Sequence, residues 1–205
     1  MTFERTLDVS HLPDAAIDSR GVLWWGQIGM MLIETVVFAL IVAAYFYIRI
    51  GFSVWPPPDI APPNLFWPTV NLILVLASCI PMYLSSRAME RRRFVAAAVW
   101  MALNVLMALV FLWIRRTEFL LFNFKWVSDV YGSLVWTLLG LHTMHTIGDT
   151  LESIVFVAIT ASGRVGAKQQ LGAKMDAIYW YWITATYALL YLLIYIYPAA
   201  LRGTL

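Results

Sequence analysis

The stretch GLHTMHTIGDTLE, Gly140 to Glu152, carries four ionisable side chains: His142, His145, Asp149 and Glu152. Their spacings of three, four and three put all four on one side of an α-helix. Residues of these types could ligate a metal, ligate haem, or handle protons within a polar seam. Two histidines three residues apart can approach one metal, because their Cβ atoms lie roughly 5–6 Å apart. Zinc takes typically about four ligands, so Asp149, Glu152 and Glu34 would have to complete such a site. The third histidine, His11, sits apart in a polar N-terminal segment. Haem needs an axial ligand such as His142 or His145, but no second helix carries a histidine that could complete a bis-histidine site. The Glu-x-x-His pairs of ferritin-like bundles are missing. The spacing favours a polar seam, hydrogen-bonded to Glu34, Thr35, Asn71, Asn104 or Thr184 on facing helices, with Gly140 and Gly148 permitting close approach. Metal or haem ligation is the alternative to that seam.

Glu34, in MLIETVVFALIVAAYFY, is a second candidate. It lies about ten residues into an apolar block, roughly 15 Å deep. A carboxyl group there must face protein or water, and is read either as a helix contact or as a proton-handling group.

The elements that position these residues are apolar blocks as long as a bilayer is thick. Of 205 residues, 61% are hydrophobic and 13% charged, against about half and about a quarter in soluble domains. The expected fold is all-α, a polytopic membrane bundle of five transmembrane helices. The spans are placed at about 24–48, 66–84, 94–114, 130–160 and 177–197. A polar segment (1–23) precedes the bundle (24–198), and a short tail (199–205) follows it. Trp24, Trp25, Tyr45, Tyr47, Trp55, Trp67, Trp180, Trp182, Tyr195 and Tyr197 are expected in belts at the headgroup level. Nine Lys and Arg fall on the N-terminal side and five on the other. The positive-inside rule then puts the N-terminus in the cytoplasm and the C-terminus outside. The proline-dense loop SVWPPPDIAPPN should be extended and semi-rigid, and Pro81 should kink or end its helix. Cys79 cannot form an internal disulfide. No cleaved signal peptide is expected, because the first 21 residues hold no apolar core. The net charge of +2 gives no reason to invoke nucleic acid. Phosphate loops, G-x-S-x-G, CxxC and H-E-x-x-H are all missing.

Several segments, in order, resemble subunit III of the haem–copper terminal oxidases of the cytochrome c oxidase type. SDVYGSLVWTLLGLHTMHTIG resembles that family's Y-G-S segment and its G-[FL]-H-x-x-H-V-x-x-G pattern. MLIETVVFALIVAAYFY resembles the helix with a single buried glutamate, and VWPPPDIAPPN the W-P-P loop after it. MERRRF, RRTEFLLF and YWYWITATYALLYLLIYIY resemble a short charged loop, a glutamate-plus-aromatics helix exit and the final helix. The resemblance runs from about Trp24 to Pro198 and matches the last five helices of longer, seven-helix members. It implies a subunit without haem or copper of its own, seated beside catalytic subunit I and near subunit II in a bacterial inner membrane. Haem and copper would reside in those partners, and bound phospholipid is expected. The implied role is to stabilise the catalytic subunit and sustain proton uptake. Glu34 falls at the family's carbodiimide-reactive carboxylate; Glu118, His142 and His145 fall at other family positions. Where the family has Y-W-H-F-V-D, this chain has Tyr179 to Thr184, with Tyr181 and Thr184 replacing the histidine and aspartate. Asp149 and Glu152 are extra acids, so the expectation is a polar network moved from helix five to helix four. The competing expectations are an accessory subunit of a nitric oxide reductase, an independent metal-dependent membrane enzyme using His142, His145 and a carboxylate, and a lipid-binding assembly factor.

Overall fold

The computed structural model describes residues 21–60, 64–163 and 165–201. The polar N-terminal segment with His11 and the end of the tail lie outside them. Five long helices follow one another: α1 Val22–Ile50, α2 Phe66–Glu90, α3 Phe94–Leu121, α4 Val130–Ala161 and α5 Ala167–Tyr191. A π-helical turn, Leu192–Ile196, leads from α5 into the short α6, Tyr197–Leu201. Four of these stretches are long and apolar enough to cross a membrane: 22–49, 66–90, 94–121 and 167–201. At 32 residues α4 is also long enough, but its polar stripe lowers its apolar character and it is not among the four.

Helices α2, α3, α4 and α5 form a ring, each packed on its neighbour, with α2 closing against α5. Helix α1 lies outside the ring, resting on α4 and α5. It buries only Phe38 and Tyr45, seven residues apart and so on one narrow stripe. The rest of α1 turns apolar side chains such as Leu32, Ile33 and Leu40 outward, as a lipid-facing helix does. The ring has a continuous core containing Val75, Phe111, Val135, Leu138, Trp180, Tyr187 and Ile194.

The ends of the helices follow local chemistry. Asp129 caps α4 by accepting a hydrogen bond from the Gly132 amide at 2.7 Å, satisfying one of the helix's free N–H groups. Gln169 reaches back to the Gly166 amide at the start of α5. The α2–α3 turn at 91–93 is tight enough to hold Arg92 at a φ of 55°.

Several expectations are corrected. The third span does not end at Ile114; α3 continues to Leu121, which draws Arg115 out of the loop and into the bundle. The fifth begins ten residues earlier than placed, at Ala167. Helix α2 does not end at Pro81, which is buried within it. The proline-dense loop is not extended over its described part: it folds into bends and turns, burying Trp55 and Ile60 in the core. Trp55, with a cis peptide bond to Pro56, donates its indole N–H to Tyr45 Oη at 2.7 Å. Tyr45, Trp55, Trp180 and Tyr195 are therefore core residues, not belt residues. Gly140 and Gly148 do not mediate close approach, since a Cβ on either would meet nothing within 4 Å. The close approach between α4 and α5 is at Gly172, where a Cβ would lie 2.6 Å from the Phe156 ring.

Candidate functional site

The ionisable residues of the bundle gather into three groups, spaced along its length. The middle group is built on Glu34. His145 Nε2 lies 3.2 Å from Glu34 Oε1, and Tyr179 donates its hydroxyl to Glu34 Oε2 at 2.9 Å. His145 Nδ1 is 2.7 Å from the Leu141 carbonyl. A carbonyl can only accept, so Nδ1 carries a proton and Nε2 is the atom that faces Glu34. Phe38 and Trp182 flank the imidazole, with ring centroids 5.7 and 5.8 Å away. Trp182 in turn donates to Thr35 Oγ1 at 2.9 Å. This group ties α1 to α4 and α5 where α1 has little else to hold it.

The second group lies toward the C-terminal ends of α1 and α3 and the start of α2. Arg115 and Glu118, 1% and 2% exposed, form an ion pair at 2.7 Å. Asn71 donates its amide to Glu118 Oε1 at 2.9 Å and Tyr195 its hydroxyl to Glu118 Oε2 at 3.2 Å. The guanidinium also sits 4.5 Å over the Tyr187 ring and 5.1 Å over Phe111, the weakly hydrated planar cation being suited to that contact. The π-helical turn, one residue wider than an α-turn, immediately contains Tyr195. Three helical segments, α2, α3 and the π-helical turn, thus converge on one carboxylate.

The third group lies toward the opposite end, at the α4–α5 contact. Asp149 and Asp176 are both buried, each 2% exposed. Ser153 Oγ lies 3.0 and 2.9 Å from the two Asp176 carboxyl oxygens. Neither oxygen of Asp149 has a hydrogen-bond partner among the described residues. Asp149 also lines an open cleft of about 400 Å³ with Met30, Met144, His145, Gly148, Glu152 and Tyr179.

The helix-four stripe is therefore divided. His142 and Asp149, seven apart, turn into the ring and are buried; His145 is partly buried beside α1, and Glu152, seven further on, is exposed. His142 and His145 do not share a target. His142 Nε2 donates to the Ile183 carbonyl at 3.1 Å, and its ring lies 5.2 Å from Tyr187 and 5.9 Å from Phe111. Among the described residues, no three His, Cys, Asp or Glu are grouped so as to hold a metal ion. Of the partners expected for the stripe, Glu34 meets His145. Asn71 instead bonds Glu118, Thr35 bonds Trp182, Thr184 accepts from Cys79 at 3.6 Å, and Asn104 is buried with no side-chain partner. Helix five also carries a buried acid, Asp176, eight residues before Thr184.

Sequence reasoning missed Arg115, Asp176, Tyr179 and Tyr195. The i,i+3 spacing of Arg115 and Glu118 is a helix ion-pair signal, hidden by ending the span at Ile114. Asp176 lay one residue before the span assigned to helix five. Nothing local to Tyr179 or Tyr195 marks them, because their partners are 145 and 77 residues away.

The family model for cytochrome c oxidase subunit III matches residues 4–199. Similar proteins include the cytochrome c oxidase subunit 3 of Thermostichus vulcanus, 25% identical over 83% of this chain and 85% of that protein. That of Synechocystis is 22% identical over 93% of this chain and 83% of its own length, and that of Lumbricus terrestris 27% identical over 84% and 69%. With nearly the whole five-helix chain under one family model, the protein belongs to the cytochrome c oxidase subunit III family.

Proposed function

We propose that this chain is a non-catalytic subunit of a respiratory haem–copper oxidase, in which O₂ reduction and proton pumping take place in partner chains. The observation that carries the reading is the family match over residues 4–199. All five helices cross the membrane in this reading. Helix α4, about 48 Å long at 1.5 Å per residue for its 32 residues, turns half of its polar stripe into the ring. The arginine-rich end, with the N-terminus and the α2–α3 and α4–α5 turns, faces the cytoplasm. The membrane is the inner membrane of a bacterium. Subunits I and II are the partners and hold the haem and copper.

The chain's work is to steady the catalytic subunit and to support its proton supply. Glu34 and His145 share a proton position between Oε1 and Nε2, with Tyr179 as a hydroxyl neighbour. Glu118 has a different part: held by Arg115, Asn71 and Tyr195, it fixes the helices. His142, bonded to the α5 backbone, does the same between α4 and α5. Bound phospholipid fits the apolar groove of about 490 Å³ between α1 and α5, lined by Phe38, Val42, Phe46, Leu189, Leu193 and Tyr197.

The test is gentle purification of the tagged chain from its own membrane, with a reduced-minus-oxidised visible spectrum and mass spectrometry on one sample. Haem bands and a large polytopic haem–copper subunit in stoichiometric amount are the expected result. A lone chain, colourless or carrying its own stoichiometric metal, would overturn the reading.

A further inference from the structure

We propose that Asp149 and Asp176 are a proton-sharing carboxyl pair, one proton between two acids, exchanged with the surroundings through Glu152 and the open cleft beside it.

Three observations support it. Asp149 and Ser153 are one turn apart on the same face of α4, which places their Cβ atoms roughly 5–6 Å apart, and Ser153 in turn contacts both carboxyl oxygens of Asp176. Asp149 lies within electrostatic reach of both Asp176 and Glu152. The side chain of Asp149 is buried, yet both of its oxygens are without a hydrogen-bond partner among the described residues while it lines the cleft. A buried acceptor in that position calls for a donor. The ion pairs among the described residues lie elsewhere, at Arg87–Glu90, Arg115–Glu118 and His145–Glu34.

Two carboxylates crowded in a poorly polarisable interior cannot both be ionised without strong mutual repulsion, so such a pair retains a proton. The contacts of Ser153 are consistent with this. A serine hydroxyl has one proton to donate and two lone pairs, yet its oxygen sits nearly equidistant from the two Asp176 oxygens. One contact is satisfied by the serine proton and the other by the acid's own O–H. The titratable groups around the pair are Glu152 and His145 on α4, Tyr179 on α5 and Glu34 on α1. Tyr179 is within electrostatic reach of Glu34, Asp149 and Glu152, so the pair borders the Glu34–His145 group. Glu152 is exposed and lines the same cleft, which makes it the entry carboxylate.

The proposal deepens the proton-supply reading, but its test reads the carboxyl groups themselves and does not depend on turnover or on the partner's identity. Infrared spectra of the purified complex near neutral pH should contain a protonated-acid C=O band. Asp149→Asn and Asp176→Asn should each shift or abolish the whole band. Ser153→Ala, which keeps both acids, should move its frequency without removing it. In D₂O the band should downshift, several-fold more slowly in Glu152→Gln. No acid band, or a band merely halved and unshifted by each Asn variant, would overturn the sharing. A band unmoved by Ser153→Ala would do the same, and an exchange rate unchanged in Glu152→Gln would overturn the route through the cleft. Loss of haem from the preparation with the band pattern intact would overturn the oxidase-subunit reading alone.

Discussion

The two ends of the same helix bundle treat buried charge in opposite ways. Toward the C-terminal ends of α1 and α3, Glu118 is matched by a cation, an amide and a phenol. Toward the α4–α5 turn, Asp176 meets a single serine hydroxyl and Asp149 has no hydrogen-bond partner among the described residues. Taking an ion out of water costs several kcal/mol, which an ion pair repays only when its geometry and remaining hydrogen bonds are good. The first end meets that condition at the carboxylate, which draws donors from α2, α3 and the π-helical turn, while Arg115 Nε and Nη2 have no hydrogen-bond partner among the described residues and the guanidinium lies over the Tyr187 and Phe111 rings. Such a site is committed to one arrangement. The second end leaves acceptors open, and an open acceptor at a cleft can take up and release a proton. One end holds the fold; the other is free to change state.

The largest test of this contrast is Glu118→Leu. It strands Arg115 as an uncompensated buried cation, and breaking such a pair costs about 3–5 kcal/mol. Thermal unfolding of the purified protein in mild detergent should show a large drop in midpoint, or little folded protein at all. The double variant Arg115→Met/Glu118→Leu should recover most of it, because replacing a buried pair by apolar residues is often neutral or better. A smaller effect is expected from Gly172→Ala. The added methyl meets the Phe156 ring, and overpacking of this kind costs about 1–3 kcal/mol. Gly140→Ala, into open space, should be neutral or slightly stabilising through helix propensity and serves as its control. The smallest change is expected at the acid end itself. Asp149→Asn removes no hydrogen bond to a described residue, so its unfolding free energy should stay within about 0.6 kcal/mol, the mean for polar contacts between membrane helices, of the unaltered chain. A loss as large as that of Glu118→Leu would erase the distinction between the ends.

The helices were legible because hydrophobic length and belt composition are local properties. The candidate acids and histidines were legible as residues, but their grouping was not. His142 and His145 differ by one position in the three-to-four alternation of a helix stripe, enough to send one into the ring and the other toward α1. Which partner each meets depends on contacts between residues more than forty positions apart, such as His142 with Ile183. Aromatic residues were read as headgroup anchors because most Trp and Tyr near span ends are. Tyr45 and Trp55 depart from that because the proline-dense loop folds inward and gives their polar atoms to each other. Arg115 was misread for a related reason: an arginine near a span end ordinarily reaches water, and only the continuation of α3 to Leu121 buries it.

The pairing of Arg115 with Glu118 has one further consequence, for a membrane under voltage. An electric field does work on net charge, about 2.3 kcal/mol per elementary charge carried across 100 mV. A tightly closed cation–anion pair has almost none to act on. However strongly the membrane is energised, this end of the bundle experiences only a weak torque on a short dipole, and the helices it pins keep their positions through every change in potential.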